Sequence, residues 1–251
     1  LLHIVTINRN PSFVRSLDAV TDHNMTAHGK GIVAVFISGI QMIQGVFSSA
    51  HIERIAISQK DFAALLLDQI HNDVCYNDFP VRLIGTHAGL SSGYGPTHNT
   101  IVEFGIMNAI PNMTMVAPCD ANQAKKLLRK SLDYKGPIYI RIPRGEEPAV
   151  YMEDYDYDYE IGKAIELSEG KDLTIIATGM AVYNSVQAAR KLEELGLDVG
   201  VIDMHTIKPI DKEAIIKAAK ATGTIMTVED HNILGGLGSI VADVLMEAGV
   251  P

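Results

Sequence analysis

Two histidines, His87 and His98, close the two ends of a loop rich in glycine and serine within the segment RLIGTHAGLSSGYGPTHNT (82–100). An imidazole changes charge near neutral pH and can take or give a proton. Glycines at 89, 93 and 95 let the backbone approach a ligand. The loop follows an apolar run, VRLIGT (81–86), that reads as a strand, and open α/β sheets bind ligands beyond the carboxyl ends of their strands. One lone loop histidine reads best as a structural residue, whereas two at one glycine-framed strand end point to function. Thr97 or Asn99 can cap the helix expected over about 99–109, whose N-terminus would favour an anionic group.

A second pattern overlaps the first. Gly89-Leu90-Ser91-Ser92-Gly93 fits the G-x-S-x-G elbow of serine hydrolases, with Asp203, His205 and His231 downstream as nominal triad partners. That elbow needs a helix immediately after the serine, but Tyr94-Gly95-Pro96 prolongs the loop. The geometry therefore favours a small-residue loop over a nucleophile. Gly235-Gly236-Leu237-Gly238 partly matches a dinucleotide fingerprint but lacks the following strand with its acidic residue, so close helix–strand packing explains those glycines better. No local spacing binds a metal or forms a Walker loop. Cys75 and Cys119 are too isolated for a metal site or a disulfide framework and read as buried thiols.

The elements that must hold these residues alternate in type. In the second half LTIIATG (173–179) is a strand, 182–196 a helix closed by Gly196, and GVIDMHTIKP a second strand ended by Pro209. DKEAIIKAAKATG follows as a helix capped by Asp211 and closed by Gly223, then TIMTVED as a strand and GGLGSIVADVLMEAG as a helix. The first half has the same grammar, with strands at 81–86, 113–118 and 138–142 and helices at about 99–109 and 121–133. This alternation predicts an α/β chain with mainly parallel sheets, built as two doubly wound domains. Between the halves, EEPAVYMEDYDYDYEIG interleaves acids with Tyr151, Tyr155, Tyr157 and Tyr159. Its charge reads as a solvated linker, which sets domains at 1–155 and 156–251. Residues 1–70 read as mostly buried but show no single period.

Composition excludes several classes. With 47% hydrophobic and 20% charged residues in 251, the chain buries a sizeable core and is neither disordered nor fibrous. The net charge of -9 repels phosphate backbones and anionic lipid, so neither nucleic acid nor membrane is an expected partner. Apolar runs such as GIVAVFISGI fall short of the ~20 residues that span a bilayer, and no signal peptide opens the sequence. A cytoplasmic protein is the expectation. The sequence opens on Leu1 and stops where another strand would be due, so both ends are expected to be incomplete.

At the histidine loop the sequence becomes specific. THAGLSSGYGPTHN, then IMNAIPNMTMVAPCDANQA and GPIYIRIPR, resembles the pyrimidine-binding domain of transketolases. GKDLTIIATG, TIKPID and TVEDHNILGGLGS are similar to the transketolase C-terminal domain, so the resemblance covers residues 68–251 in order. It implies an enzyme that uses thiamine diphosphate to move a two-carbon ketol unit between sugar phosphates. The family's motif for Mg²⁺ and diphosphate is absent from these residues. The chain thus resembles the second subunit of a split transketolase, whose separate partner carries the diphosphate and most of the Mg²⁺ coordination. A shared active site and a heterotetramer are implied.

The resemblance also assigns roles. His98 in GPTH matches the histidine beside the aminopyrimidine and the reacting carbonyl, where it assists proton transfer. His87 matches a histidine on the sugar-phosphate channel, and Arg144 in RIPR matches the arginine that grips the substrate phosphate, an anion suited to a guanidinium fork. The acidic residues that precede GPTH in the family are missing here, and Tyr94 stands in a shorter loop, so sugar specificity does not transfer. The family's coenzyme-activating glutamate has its best counterpart in Asp22 of Asp22-His23-Asn24-Met25. Its carboxylate is one methylene shorter, and a ~1 Å misplacement costs roughly 100-fold in rate. Asp22 reads equally as a helix cap ahead of Met25-Thr26-Ala27-His28. Phe47 in VFSSAH is the counterpart of the aromatic residues that stack on the pyrimidine, and reads equally as core. A related thiamine enzyme, either a deoxyxylulose phosphate synthase or a 2-oxoacid dehydrogenase β subunit, and a non-catalytic partner subunit are the alternatives.

Overall fold

The computed structural model describes residues 67–90, 99–143, 148–152 and 157–250, together with the strand backbones at 3–5, 32–37 and 53–59. These residues build two sheets. The first has seven strands: β1 (His3–Val5), β2 (Ile32–Ile37), β3 (Glu53–Gln59), β4 (Arg82–Thr86), β5 (Thr114–Val116), β6 (Ile138–Arg141) and β10 (Thr206–Lys208), in the order β1-β2-β3-β4-β6-β5-β10. Strands β1 to β6 run parallel. The second sheet contains β7 (Ile165–Ser168), β8 (Leu173–Ala177), β9 (Val199–Asp203) and β11 (Ile225–Val228), in the order β11-β8-β9-β7, with β7 alone antiparallel.

Helices fill the connections. They are α1 (Leu67–Gln69, running on as a π-helical turn at Ile70–Cys75), α2 (Glu103–Ala109), α3 (Ala121–Ser131), α4 (Ala181–Glu194), α5 (Lys212–Thr222) and α6 (Leu237–Glu247). The expected punctuation is present. Asp211 caps α5 by accepting from the Ala214 amide at 3.1 Å, and Gly223 ends it at φ +66°, in the left-handed region glycine enters without strain. Asp120 does the same for α3, accepting from the Gln123 amide at 2.7 Å. Cys75 and Cys119 are free and buried, as their sequence context predicts.

Two expectations are corrected. GVIDMHTIKP is two strands, not one: after β9 the chain crosses to the first sheet, where β10 pairs antiparallel with β5. Lys208 then donates to the Asn108 and Ile110 carbonyls at 2.8 and 2.7 Å, satisfying the C-terminus of α2 with a cation. The segment around 151–160 is not simply a solvated linker. Tyr151 and Tyr159 are buried while Asp158 and Glu160 face solvent, so alternation turns the rings inward and the charges outward.

Those tyrosines seal a polar joint between the two sheets. Asp203, at the end of β9 and fully buried, accepts from Gln123 Nε2 at 2.6 Å and from the Tyr151 hydroxyl at 2.8 Å. Asp120 accepts from the Val150 and Tyr151 amides at 2.7 and 2.8 Å, and Asn122 donates to the Tyr151 carbonyl. His205 stacks on Tyr159 at 4.3 Å between centroids and shares a 2.9 Å hydrogen bond with Thr206.

Burial shifts Asp203 and His205 in opposite senses. It raises the Asp203 carboxyl from 3.8 to about 7, against the hydrogen bonds from Tyr151 and Gln123, and lowers the His205 imidazole from 6.5 to about 4. Folded Asp203 holds a proton that the unfolded chain has released. Its contribution to stability is therefore full below pH 3.8 and is lost as pH rises to about 7. His205 behaves oppositely: its contribution is full above 6.5 and is lost as pH falls to about 4. Between these limits the two slopes, each about 1.4 kcal/mol per pH unit, cancel. Asp203→Asn removes one slope. In urea unfolding, the variant should gain on the wild type steadily from about pH 4 to pH 7. A difference independent of pH would mean that Asp203 titrates at its ordinary value.

Candidate active site

The site is built at the carboxyl ends of two adjacent parallel strands. β4 ends at Thr86 and β6 at Arg141, with Gly85 paired opposite Arg141. Gly85 has no room for a side chain, since a Cβ there would run into the Tyr139 hydroxyl. His87 follows directly, half-buried, at φ +59°, a left-handed conformation that a non-glycine residue rarely adopts and that concentrates at functional sites. Its Nδ1 lies 3.1 Å from Thr86 Oγ1.

The glycine-rich loop is pinched at its base. The Gly89 amide donates to the Thr100 carbonyl at 2.8 Å, so the chain leaves and returns at one bridge. Behind that bridge lies a buried ion pair: Arg141 Nε meets Glu103 Oε1 at 2.6 Å, with both side chains no more than 3% exposed. The other carboxylate oxygen, Glu103 Oε2, accepts from Thr100 Oγ1 at 2.7 Å and from the Val102 amide at 3.0 Å. Arg141 also covers the Phe104 ring, 4.8 Å from its centroid, and donates through Nη2 to the Asp230 carbonyl at 2.5 Å.

Residues 229–232, which follow β11 of the second sheet, complete this base. The Asp230 carboxylate accepts from the Leu90 amide at 3.1 and 3.2 Å. Gly89 makes that approach possible, since a Cβ there would overlap the Asp230 carboxylate. Asn232 donates through its backbone amide and its side chain to the Ile101 carbonyl. His231 Nε2 accepts from the Phe104 amide at 3.2 Å while Nδ1 donates to the Asn232 carbonyl at 2.8 Å, which fixes the proton on Nδ1. Glu229 accepts from the Leu237 and Gly238 amides at 2.7 and 2.9 Å, closing the N-terminus of α6. Close packing explains the neighbouring glycines, as read from sequence: a Cβ on Gly236 would overlap the Glu229 carboxylate.

Several sequence expectations are settled by this geometry. Asn99 does not cap α2, which begins at Glu103 without a side-chain cap from its preceding residue; Thr97 lies outside the described residues. At the start of α2 the Val102 amide donates to Glu103 Oε2 and the Phe104 amide to His231 Nε2. Asp203 and His205 are committed to the inter-sheet joint and His231 to α2, which removes them as triad partners; Ser91 lies outside the described residues. Among the predicted site residues His87 is described, whereas Asp22, Phe47, His98 and Arg144 lie outside the described residues. Glu103, Arg141, Asp230 and Asn232 were not singled out by type or spacing. Their partners lie far away in the chain, although Asp230 and Asn232 fall in the TVEDHN string and Arg141 in GPIYIRIPR.

A sheet with His87 at its carboxyl edge, joined to a smaller sheet that closes the loop's base, makes a two-part α/β fold. The transketolase pyrimidine-binding domain model matches residues 49–148, and the transketolase C-terminal domain model matches 162–250. The chain belongs to the transketolase family. It is 43% identical over 191 residues to an apulose-4-phosphate transketolase subunit of Phocaeicola vulgatus, covering 76% of this chain and 61% of that protein. The chain thus spans about three fifths of that relative's length. It is 34% identical over 217 residues to a 1-deoxy-D-xylulose-5-phosphate synthase of Heliobacterium modesticaldum, covering 86% of this chain and 32% of that enzyme. A solved split gene transketolase, described as an inactive beta4 tetramer, superposes with a TM-score of 0.73 at 37% identity, covering 78% of this chain and 64% of that one.

Proposed function

We propose that this chain is the pyrimidine-domain subunit of a split transketolase, transferring a two-carbon ketol unit between sugar phosphates at a site shared with a diphosphate-binding subunit. The observation that carries the reading is the clamped histidine loop at the carboxyl ends of β4 and β6, in a chain 43% identical to an apulose-4-phosphate transketolase subunit. Its domains divide near residue 155, and two copies with two partner chains would form a heterotetramer. Exposed Leu90, Val102, Ile233 and Leu234 ring the base of the loop, an apolar rim suited to a protein partner.

The described residues fit a pyrimidine at one point. Asn99 Oδ1, next to His98, is buried and accepts no hydrogen bond among the described residues, leaving an acceptor for an amino donor. When bound, thiamine diphosphate supplies the carbanion chemistry, with Mg²⁺ holding its diphosphate mainly on the partner. In this reading Asp22, through its carboxylate, and Phe47, through its aromatic face, would hold the pyrimidine, and His98 would move a proton at the substrate's carbonyl oxygen. His87 and Arg144 hold the sugar phosphate. Among the described residues no group of three His, Cys, Asp or Glu side chains could hold a metal ion, and no helix is long and apolar enough to cross a membrane.

Calorimetry with thiamine diphosphate and Mg²⁺ tests the reading on this chain alone and after mixing with the diphosphate-domain chain from the same source. Binding only in the mixture supports a shared site. No binding in a mixture shown to assemble would favour the second reading, a non-catalytic partner, which the shorter Asp22 motivates.

A further inference from the structure

We infer that Asp230 and Asn232, which follow the last strand of the second sheet, are positioning residues for the two ends of the histidine loop, so that the C-terminal domain sets the catalytic competence of the residues that loop carries. The inference rests on the transketolase reading for its kinetic consequence and on geometry alone for its structural one. Asp230 holds the loop's entry through the Leu90 amide, and Asn232 holds its exit through the Ile101 carbonyl. The Gly89–Thr100 bridge joins the two ends, and the Glu103–Arg141 pair ties them to β6.

These contacts share two properties that general packing lacks. They fall on backbone atoms at the loop's two ends, and they come from one four-residue segment that begins at the end of β11. Gly89 is shaped to admit that segment, since a Cβ there would overlap the Asp230 carboxylate. His87 lies two residues before Gly89, and His98 lies two residues before Thr100. His87 is therefore within a short span of a pinned backbone atom. A displacement of about 1 Å at such a group is enough to cost about 100-fold in rate.

The test uses Asp230→Ala and Asp230→Asn in the assembled complex. Asn keeps an oxygen that accepts from the Leu90 amide; Ala does not. Hydrogen–deuterium exchange of a peptide spanning 86–102 should accelerate at least tenfold in Asp230→Ala, while peptides covering β8 and β9 stay unchanged. With a ketose phosphate donor and glyceraldehyde phosphate, kcat/KM should fall about 10- to 100-fold, with kcat itself lowered. Asp230→Asn should restore both readouts to within a few-fold. Unchanged exchange over 86–102, equal acceleration over β8 and β9, faster exchange with normal kcat, or failure of Asn to rescue would overturn the proposal. If the wild-type complex transfers no ketol unit, the proposed function fails, and the exchange comparison still decides whether Asp230 holds the loop.

Discussion

Glu103→Leu should destabilise the protein by about 3–5 kcal/mol, because it leaves the Arg141 guanidinium buried with its charge unpaired. The pair sits at 2.6 Å with 3% and 2% of its side chains exposed, so water cannot replace the lost partner. The substitution also strips an acceptor from Thr100 Oγ1 and the Val102 amide, which close the loop and start α2. Arg141→Leu should be damaging for the reciprocal reason, and it frees the Asp230 carbonyl as well. Replacing both with leucine should cost less than Glu103→Leu alone, since no buried charge is then left uncompensated. Urea midpoints of the three variants give the cycle. Additive losses would show that the two charges do not interact in the folded protein.

His98→Ala should lower kcat of the assembled enzyme about 100-fold or more, the usual scale of a positioned acid–base group, with sugar KM changed only a few-fold. The split matters. A residue that merely binds substrate raises KM, whereas one that moves a proton in the transition state lowers kcat and kcat/KM together. Thr100, two positions further along the sequence, is bonded to both Gly89 and Glu103. Unchanged turnover would remove His98 from the chemistry and shift attention to His87, whose φ of +59° marks the other end of the loop.

Much of the fold was legible because local signals agreed with tertiary ones. LTIIATG became β8, and Asp211 and Gly223 bounded α5, since a capping carboxylate and a left-handed glycine act within one turn. The crossing from β9 to β10 was not legible. A continuous apolar run does not reveal that Val199–Asp203 pairs in one sheet and Thr206–Lys208 in the other. The buried tyrosines were misread because net charge was weighed above alternation: Tyr159 points inward between Asp158 and Glu160, which point out, and Tyr151 is buried as well.

At the site, the histidine loop stood out because glycine, serine and histidine cluster within one short segment. The groups that brace it did not. Asp230 reaches Leu90 across 140 positions and Arg141 reaches Glu103 across 38, distances over which no periodicity carries information. Asp203 illustrates the same limit, since its partners Gln123 and Tyr151 come from the other half of the chain.

The central claim is ketol transfer by a two-chain enzyme, and product analysis tests it most directly. This chain, assembled with the diphosphate-domain chain, thiamine diphosphate and Mg²⁺, is offered glyceraldehyde phosphate as acceptor with either a ketose phosphate or pyruvate as donor. The account predicts turnover with the ketose phosphate, yielding a ketose two carbons longer than the acceptor, and none with pyruvate. Deoxyxylulose phosphate from pyruvate, without transfer from the ketose phosphate, would contradict it and assign the chain to the synthase branch of the same fold.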